Sequence, residues 1–416
     1  MHDRVILCID LRSFFAAVEC ADAGLDLYDV PLVVADRRRG MGAITLAVTP
    51  FLKAKGIPSR GRLFELPKNE PIIYALPRMG RYSEVSTQVV NIYLNYVSEE
   101  DLHVYSIDEA FLDVTTYLSY FEMSPETLAH TIQQHIIEAT KIPSTIGIGP
   151  NMVMAKMALD LDSKRMSSGI ARWTHDDLET RLWPITPLSK VWGIGRQMER
   201  RLFAMNIVSM YDVAHTPIET LNEEFGVLGD ELYYHAHGQD ASIMSDPHSY
   251  QPRNVSIGHG QTLYHDYNGA EAKLVLRELV DRVTKRLRAK GVEGSVIHVS
   301  VGYSKKAPGG FSRQRTIEVT DSPTVIYQTV VSLFDEFYTG GPIRRLGVSV
   351  GHVTTKDHQQ IDLFGQVQRQ TKERALWTAM DQIQTWYGKN ACLRAVNFKK
   401  ESTMRERNGL IGGHRA

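Results

Sequence analysis

Two adjacent carboxylates, Asp108 and Glu109, sit inside the stretch Tyr105-Ser106-Ile107-Asp108-Glu109-Ala110-Phe111-Leu112-Asp113, between short apolar runs that read as two β-strands. Apolar flanks are a poor environment for bare negative charge, because a buried carboxylate is costly without a cation. Neighbouring acids at a strand end can both reach one ion, and oxygen ligands favour Mg²⁺ or Mn²⁺. A third carboxylate is available near the start of the chain, where the buried-strand pattern Val5-Ile6-Leu7-Cys8-Ile9 runs into Asp10. Two strands delivering Asp10, Asp108 and Glu109 to one sheet edge would build a two-metal phosphoryl-transfer site. The plainer reading of an Asp-Glu pair is a solvated turn, and the position of Asp10 decides between the two. Because the three acids repel one another, the site is expected to be loose without its ions.

The elements around these acids follow from periodicity. After Asp10 the run Ser13-Phe14-Phe15-Ala16-Ala17-Val18-Glu19-Cys20 changes to helical spacing. Asp10 is thereby placed at a strand end near a helix N-terminus, where phosphate can dock. Phe14 and Phe15 are neighbours, so one can face the core and the other the site. Leu32 to Ala35 and Gly42 to Val48 read as strands joined by a basic turn, Asp36 to Gly40. The helix Pro50 to Gly56 follows, with Pro in its first turn and Gly at its end. Its Lys53 and Lys55 could hold phosphate, although helix-end solvation is the plainer account. Residues 60–80 read as a connector, and a helix over 81–97 leads into the acidic motif. A helix over 125–140, a strand over 144–149 and a helix over 151–161 complete this half. The alternation predicts a mixed sheet with helices packed on one side. His130 and His135, five apart, do not share a helical face as a zinc pair would, and Asp160 and Asp162 lie on opposite sides of their helix.

Trp183-Pro184-Ile185-Thr186-Pro187 breaks the chain. Beyond it, Gly193-Ile194-Gly195 forms a turn whose backbone N–H groups could hold one DNA phosphate, and an all-helical domain is expected over 173–243. Residues 244–254 are polar and read as a linker. The remainder spells strand (255–263), helix (270–290), strand (295–303), strand (311–319), helix (323–337) and strand (344–353). This βαββαβ order implies a four-stranded sheet backed by two helices, which could lie in a groove of duplex DNA. Arg313, Arg315, Arg344 and Arg345 are its candidate DNA contacts. A plain ferredoxin-like interaction domain is the competing account. From 357 on the chain reads as a polar tail with one amphipathic helix near 371–387, preceded by Gln360-Ile361-Asp362-Leu363-Phe364.

Length and composition set the outer limits. A chain of 416 residues holds about two to four domains and ample core. Three scattered cysteines, Cys8, Cys20 and Cys392, make neither a disulfide framework nor a zinc spacing, which fits a reducing cytoplasm. No apolar run approaches the ~18 residues of a membrane span, and the N-terminus lacks a secretory pattern. The formal net charge of −1 averages unlike segments: 251–356 carry about fifteen Lys and Arg against about nine Asp and Glu, whereas 1–120 are acidic. A basic module beside an acidic metal site suits a protein that grips a phosphate backbone and works on it.

Together these motifs resemble the Y-family translesion DNA polymerases, in particular the UmuC-like (ImpB/MucB/SamB) bacterial branch. The likeness runs over nearly the whole chain: Ile9 to Glu19 is similar to the family's first catalytic motif, Tyr105 to Asp113 to its second, and Gly193-Ile194-Gly195 follows. The resemblance implies an α+β multidomain right hand: palm at 1–13 and 81–172, small fingers at 14–80, an all-helical thumb with a helix-hairpin-helix at 173–243, and a little finger at 251–356 ahead of the 357–416 tail. It implies two Mg²⁺ ions, replaceable by Mn²⁺, on Asp10, Asp108, Glu109 and the Leu11 carbonyl. Phe15 falls on the steric gate against a ribose 2′-OH, with Phe14 beside it. Lys53 falls on the incoming triphosphate, and Ala43 and Ile44 over the nascent base pair. Three positions depart from the family pattern. Arg12 stands where an acid that is not a metal ligand is common, and Pro50 where a phosphate-binding Tyr is frequent. Lys164 matches the second phosphate lysine only with a one-residue shift, beside Arg165.

The implied activity is low-fidelity, template-directed addition of dNTPs to a primer 3′-OH during repair of damaged DNA in the SOS response, by a cytoplasmic monomer that touches no membrane. Its implied partners are primer–template DNA, a sliding clamp bound through Gln360, Leu363 and Phe364, and a recombinase filament or accessory subunit. A DNA-binding regulatory subunit with vestigial activity and a nucleotide cyclase with a palm-like site are the rival readings.

Overall fold

β1 (Ile6–Leu11) can be apolar on both faces because it is the central strand of a five-stranded sheet covered on both sides. The structure, a computed structural model, describes residues 4–245, 255–305, 307, 309–355 and 366–415. The Gln360 to Phe364 peptide and most of the 244–254 linker lie outside the described residues. The chain folds as two units, residues 1–250 with 414–416, and residues 251–413.

In the first unit β1 is followed by α1 (Phe14–Ala23), β2 (Leu32–Val34), β3 (Ala47–Val48), α2 (Pro50–Ala54), β4 (Ile73–Ala75) and α3 (Met79–Tyr93). Then come β5 (Leu102–Val104), β6 (Glu109–Asp113), α4 (Tyr117–Phe121), α5 (Pro125–Thr140), β7 (Ser144–Gly149), α6 (Met152–Leu161) and β8 (Ile170–Arg172). The main sheet has the order β5-β6-β1-β7-β8. Leu7, Ile9 and Leu11 share a core with Phe14, Val89 and Ile132 of α1, α3 and α5. Ile6, Cys8 and Phe111, on the other face, share one with Met152, Ala155 and Leu159 of α6. Helices thus cover both faces, not the single side expected. Two glycines bring α6 this close: a Cβ on Gly147 would run into the Ala155 carbonyl and the Leu159 amide, and one on Gly149 into the Ala155 amide. Asn151 caps α6 by accepting from the Met154 N–H.

The strand expected over 42–48 is shorter than its apolar pattern. Only Ala47–Val48 pairs with β2, while Ile44 makes an isolated bridge to Arg62 and Thr45 exchanges hydrogen bonds with Gly61. Conversely, the 60–80 connector contains β4, which runs parallel to β2. Further along, α7 (Arg196–Ala204), α8 (Met210–His215), α9 (Ile218–Phe225) and α10 (Val227–Ala236) enclose Trp173, Leu202, Met210 and Leu221. That core is continuous with Val153 and Met157 of α6.

The second unit is the βαββαβ module: β9 (Ile257–Tyr267), α11 (Gly269–Ala289), β10 (Val292–Tyr303), β11 (Gly310–Thr320), α12 (Pro323–Phe337) and β12 (Ile343–Thr355). The sheet order is β11-β10-β12-β9. Val275, Leu279, Ile326 and Phe334 of the two helices bury against Ile297, Val299 and Val348 of the sheet. α13 (Gln366–Tyr387) and the chain to 413 belong to this unit. They fold against α11, a docking that the polar character of the segment does not announce. Its anchor is Glu278, 0 % exposed, whose carboxylate accepts from Ser402, Thr403 and Asn397 with Arg407 at 3.8 Å. A charge buried this fully requires such complete satisfaction. Among the described residues no helix is long and apolar enough to cross a membrane.

Candidate active site

The pairing register of β1 and β6 sets Asp10 directly opposite Glu109, and directly opposed residues in antiparallel strands share a face. The Leu11 N–H donates to the Asp108 carbonyl at 2.9 Å, which ties the main chain of the third acid to the end of β1. The chain leaves the sheet at once. Ser13 takes a left-handed conformation, φ 49°, at the N-cap position of α1, with no capping bond from its side chain. A non-glycine residue in that region is costly and is held only where its surroundings fix it; here the turn sits beside the three acids.

Burial raises the pKa of Asp10, and repulsion from Asp108 adds to it, against Lys164. Burial likewise raises Glu109, with Lys156 opposing. The lysines answer directly. Lys164 Nζ lies 2.7 Å from Asp10 and 2.7 Å from Asp160, and Lys156 Nζ lies 2.6 Å from Glu109 and 3.1 Å from Asp160. For both lysines burial works against the charge, yet the surrounding acids prevail and hold the pKa above its ordinary value. The expectation of a loose site is therefore corrected: the protein's own ammonium groups bind the carboxylates. Asp108 accepts from the Ser106 hydroxyl at 2.8 Å, and the Cys8 thiol donates to Glu109 at 3.3 Å.

Among the described residues no three His, Cys, Asp or Glu side chains are gathered as a metal-holding set, since Asp10 and Glu109 face lysines. The donor chemistry nonetheless fits a hard divalent cation. It is all oxygen, it lies at the adjoining ends of two paired inner strands, and its mutual repulsion is relieved only by positive charge.

The remaining expected residues are placed as follows. Phe14 is buried, and Phe15 is half-buried and stacked on Tyr82 at 4.5 Å between ring centroids. Phe14 thus lies within the core, and Phe15 packs against the same core through Tyr82 with part of its ring open. Lys53 is near the acids. Partial withdrawal from water lowers its pKa and Asp10 opposes this, while Lys164 and Arg12 add to the lowering. Lys164, and not its neighbour Arg165, is the cation on Asp10, and Arg12 braces that turn by donating to the Lys164 carbonyl at 2.6 Å. Pro50 opens α2. Ala43 is buried and Ile44 exposed. Gly193 has φ 89° and Gly195 caps α7, preceded by only a short 3₁₀ turn at Leu188–Lys190.

In the second unit the arginines divide. Arg313 lies over the Phe337 ring at 4.7 Å and Arg315 pairs with Glu336 at 2.6 Å, so both cover α12 instead of standing on the open face of the sheet. Arg344 is 3.8 Å from Asp266. Arg345 lines a shallow groove on the sheet with Gly260, Ser300, Gly302, Ser312 and Gly347. Sequence reasoning missed these small residues, although Gly258-His259-Gly260 already carries the period-two signal of one strand face. It also missed Lys156, and it set Asp160 aside as half of a split acidic pair with Asp162. Their signal was the four-residue spacing of Lys156, Asp160 and Lys164, a charged stripe that runs from the otherwise apolar α6 into the turn after it.

The model of the impB/mucB/samB family matches residues 9–160 and that of its C-terminal domain residues 254–363. The DNA polymerase-iota thumb-domain model matches residues 190–240. A Bacillus subtilis (strain 168) protein provisionally named UV-damage repair protein UvrX is 39 % identical over 99 % of this chain and 97 % of its own length. DNA polymerase IV 2 of the same organism is 35 % identical over 100 % of this chain and 99 % of its own. In fold, a Y-family DNA polymerase chimera of Dbh and Dpo4 superposes with a TM-score of 0.66 at 21 % identity, covering 84 % of this chain and 99 % of the chimera. With both family models on the chain in order, and the carboxylates of the two motifs on paired strands, the chain belongs to the impB/mucB/samB family, the UmuC-like branch of the Y-family DNA polymerases.

Proposed function

We propose that this chain is a template-directed DNA polymerase that extends a primer 3′-OH with dNTPs at low fidelity and copies past damaged bases. The observation that carries this reading is the register placing Asp10 opposite Glu109, with Asp108 tied to the end of the same strand. Asp10, Asp108 and Glu109, with the Leu11 carbonyl, would hold two divalent ions, Mg²⁺ first and Mn²⁺ as substitute, which supply activation of the 3′-OH and charge stabilisation at the leaving pyrophosphate. The chain's own part is positional. Lys164 and Lys53 present positive charge to the triphosphate, and Lys156 aims Glu109 and opposes the effect of its burial. Phe15 fills the space that a ribose 2′-OH needs. Ala43 and Ile44 flank the nascent base pair.

On this reading residues 1–13 and 81–172 are the palm, 14–80 the fingers, 173–243 the thumb and 251–356 the little finger. Fingers built on a three-stranded sheet of short strands have little material with which to test a base pair, which supports permissive copying. Primer–template DNA would meet the Gly193 to Gly195 turn and the open sheet face at Arg345, where glycines let a backbone approach closely. The Gln360, Leu363 and Phe364 side chains would dock a sliding clamp through two apolar anchors. SOS deployment in the cytoplasm, with a recombinase filament or accessory subunit, completes the proposal.

The test is metal-dependent primer extension by the full chain. Asp108→Ala should abolish extension while leaving primer–template affinity, read by fluorescence anisotropy, within about twofold, because the acid belongs to chemistry and not to grip. Loss of both together would remove the catalytic assignment. A wild-type chain that binds DNA but never extends it would favour the regulatory-subunit reading, and cyclic nucleotide made from NTP would favour the cyclase.

A further inference from the structure

Between α11 and the chain that folds over it lies a half-open cavity of about 280 Å³. Trp377, Met380, Leu393 and Met404 give it an apolar lining, and Arg282, Lys285, Arg286, Arg288, Lys389 and Arg394 contribute cations. The acids on its wall are already engaged: Asp281 with Arg394 at 2.9 Å, and Asp381 with Arg288 at 2.7 Å. Arg286 donates to the Gly258 carbonyl, and Lys285 has the neutral Gln384 side-chain carbonyl at 2.9 Å. Arg288 is 8 % exposed, and its Nη1 donates to nothing among the described residues. Partial burial lowers the pKa of Lys285. Arg288, Arg282 and Lys389 push the same way, against Asp381.

Positive charge is therefore in surplus around a lining that is largely apolar, and that costs free energy until an anion answers it. Several cations with no acid of their own among the described residues favour a dianion over a monoanion, and guanidinium forks match phosphate oxygens. The Trp377 ring already carries Arg394 at 4.3 Å and Arg288 at 5.5 Å from its centroid, so the open apolar lining is Met380, Leu393 and Met404, whose thioethers favour a flat, apolar ring on the same molecule. The volume stands near the lower end of the roughly 300–1,000 Å³ typical of small-molecule sites, which admits one nucleotide and no polymer. We propose that this cavity binds a small organic monophosphate of the nucleoside monophosphate class, its phosphate among Lys285, Arg282 and Lys389 and its ring system against Met380 and Leu393. Because the walls come from α11 and from residues 377–408, the ligand also ties that segment to α11.

Cys392 provides a local readout. It lines the cavity and is half-buried, whereas Cys8 and Cys20 are buried. Alkylation of Cys392 in the full chain by iodoacetamide is followed by mass spectrometry with dAMP, inorganic phosphate or deoxyadenosine as probe. At dAMP of about four times its Kd, the Cys392 rate should fall about fivefold, because only free sites react. Inorganic phosphate should protect less and deoxyadenosine not at all. The Lys285→Met/Lys389→Met double variant should lose the protection while keeping wild-type primer extension, and Lys285→Arg should keep it. No protection at millimolar dAMP would overturn the proposal. So would protection that survives the double variant, or protection lost in Lys53→Ala but kept in the double variant, which would assign the nucleotide to the carboxylate site.

Discussion

Lys156 Nζ lies 2.6 Å from Glu109 Oε1, with the two side chains 8 % and 12 % exposed. Removing one partner of a buried pair strands the other, at a cost of roughly 3–5 kcal/mol. Protonation of Glu109 can absorb part of that. Lys156→Met should therefore destabilise the protein by about 2 kcal/mol in urea unfolding, and should lower primer extension at least about tenfold. Lys156→Arg should restore more stability than activity, because it keeps the charge and changes the reach. Wild-type extension by Lys156→Met would show that Glu109 needs no such partner.

Gly147 carries a backbone contact, not a turn. A Cβ there meets main-chain atoms of Ala155 and Leu159, which cannot rotate away. Gly147→Ala should lift α6 from β7 and cost about 3 kcal/mol or more. Because α6 bears Lys156, extension should fall by more than stability alone accounts for at a temperature where the variant is still folded. Thermal unfolding and extension measured side by side on the same preparation check this.

Phe15 is held flat against Tyr82, whose hydroxyl donates to Glu19 at 2.6 Å, and Glu19 is itself paired with Arg78 at 2.8 Å. A ring fixed this way can exclude an atom. Phe15→Ala should raise ribonucleotide incorporation relative to deoxynucleotide by about tenfold or more, since a steric clash worth more than 1.4 kcal/mol is removed. Unchanged sugar discrimination in competitive single-nucleotide insertion would take the gate away from this residue.

His259 is pushed down to about 4 by burial and by the nearby Arg407, Arg282 and Arg286. A histidine kept neutral when folded binds a proton more readily when unfolded. Its contribution therefore makes the protein less stable as pH falls below about 6.5, and the loss continues until the folded group titrates near 4. His259→Gln should narrow the difference in unfolding temperature between pH 7 and pH 5. An equal drop in wild type and variant would place the acid sensitivity elsewhere.

Much of the candidate site was legible because its residues sit where local patterns change. Asp10 ends an apolar run just before helical spacing begins, and Asp108-Glu109 interrupts two apolar runs. The βαββαβ module was legible for a similar reason: its strands alternate, and its helices open on strong caps such as Asn268 with Glu271. The strand over 42–48 was drawn too long because those residues form a nearly unbroken apolar run, yet Ile44 and Thr45 are satisfied by a loop at 61–62. The docking of residues 366–413 was hidden because its anchors are polar. Glu278 and Arg394 look solvated in a sequence and become interior only when Asn397, Ser402, Thr403 and Asp281 arrive from far along the chain.

Local pattern alone was enough to place the acids at strand ends, to find most of the strands and helices though neither β4 nor the true length of β3, and hence to indicate the family. Periodicity and capping act over a few residues, so they can be read along a line. That Asp10 faces Glu109, with Lys164 and Lys156 paired to them, emerged only from the assembled fold. It alone turned Arg313 and Arg315 toward α12. Those outcomes depend on strand register and on how closely α6 settles against β7, and both are fixed by contacts between residues distant in the chain.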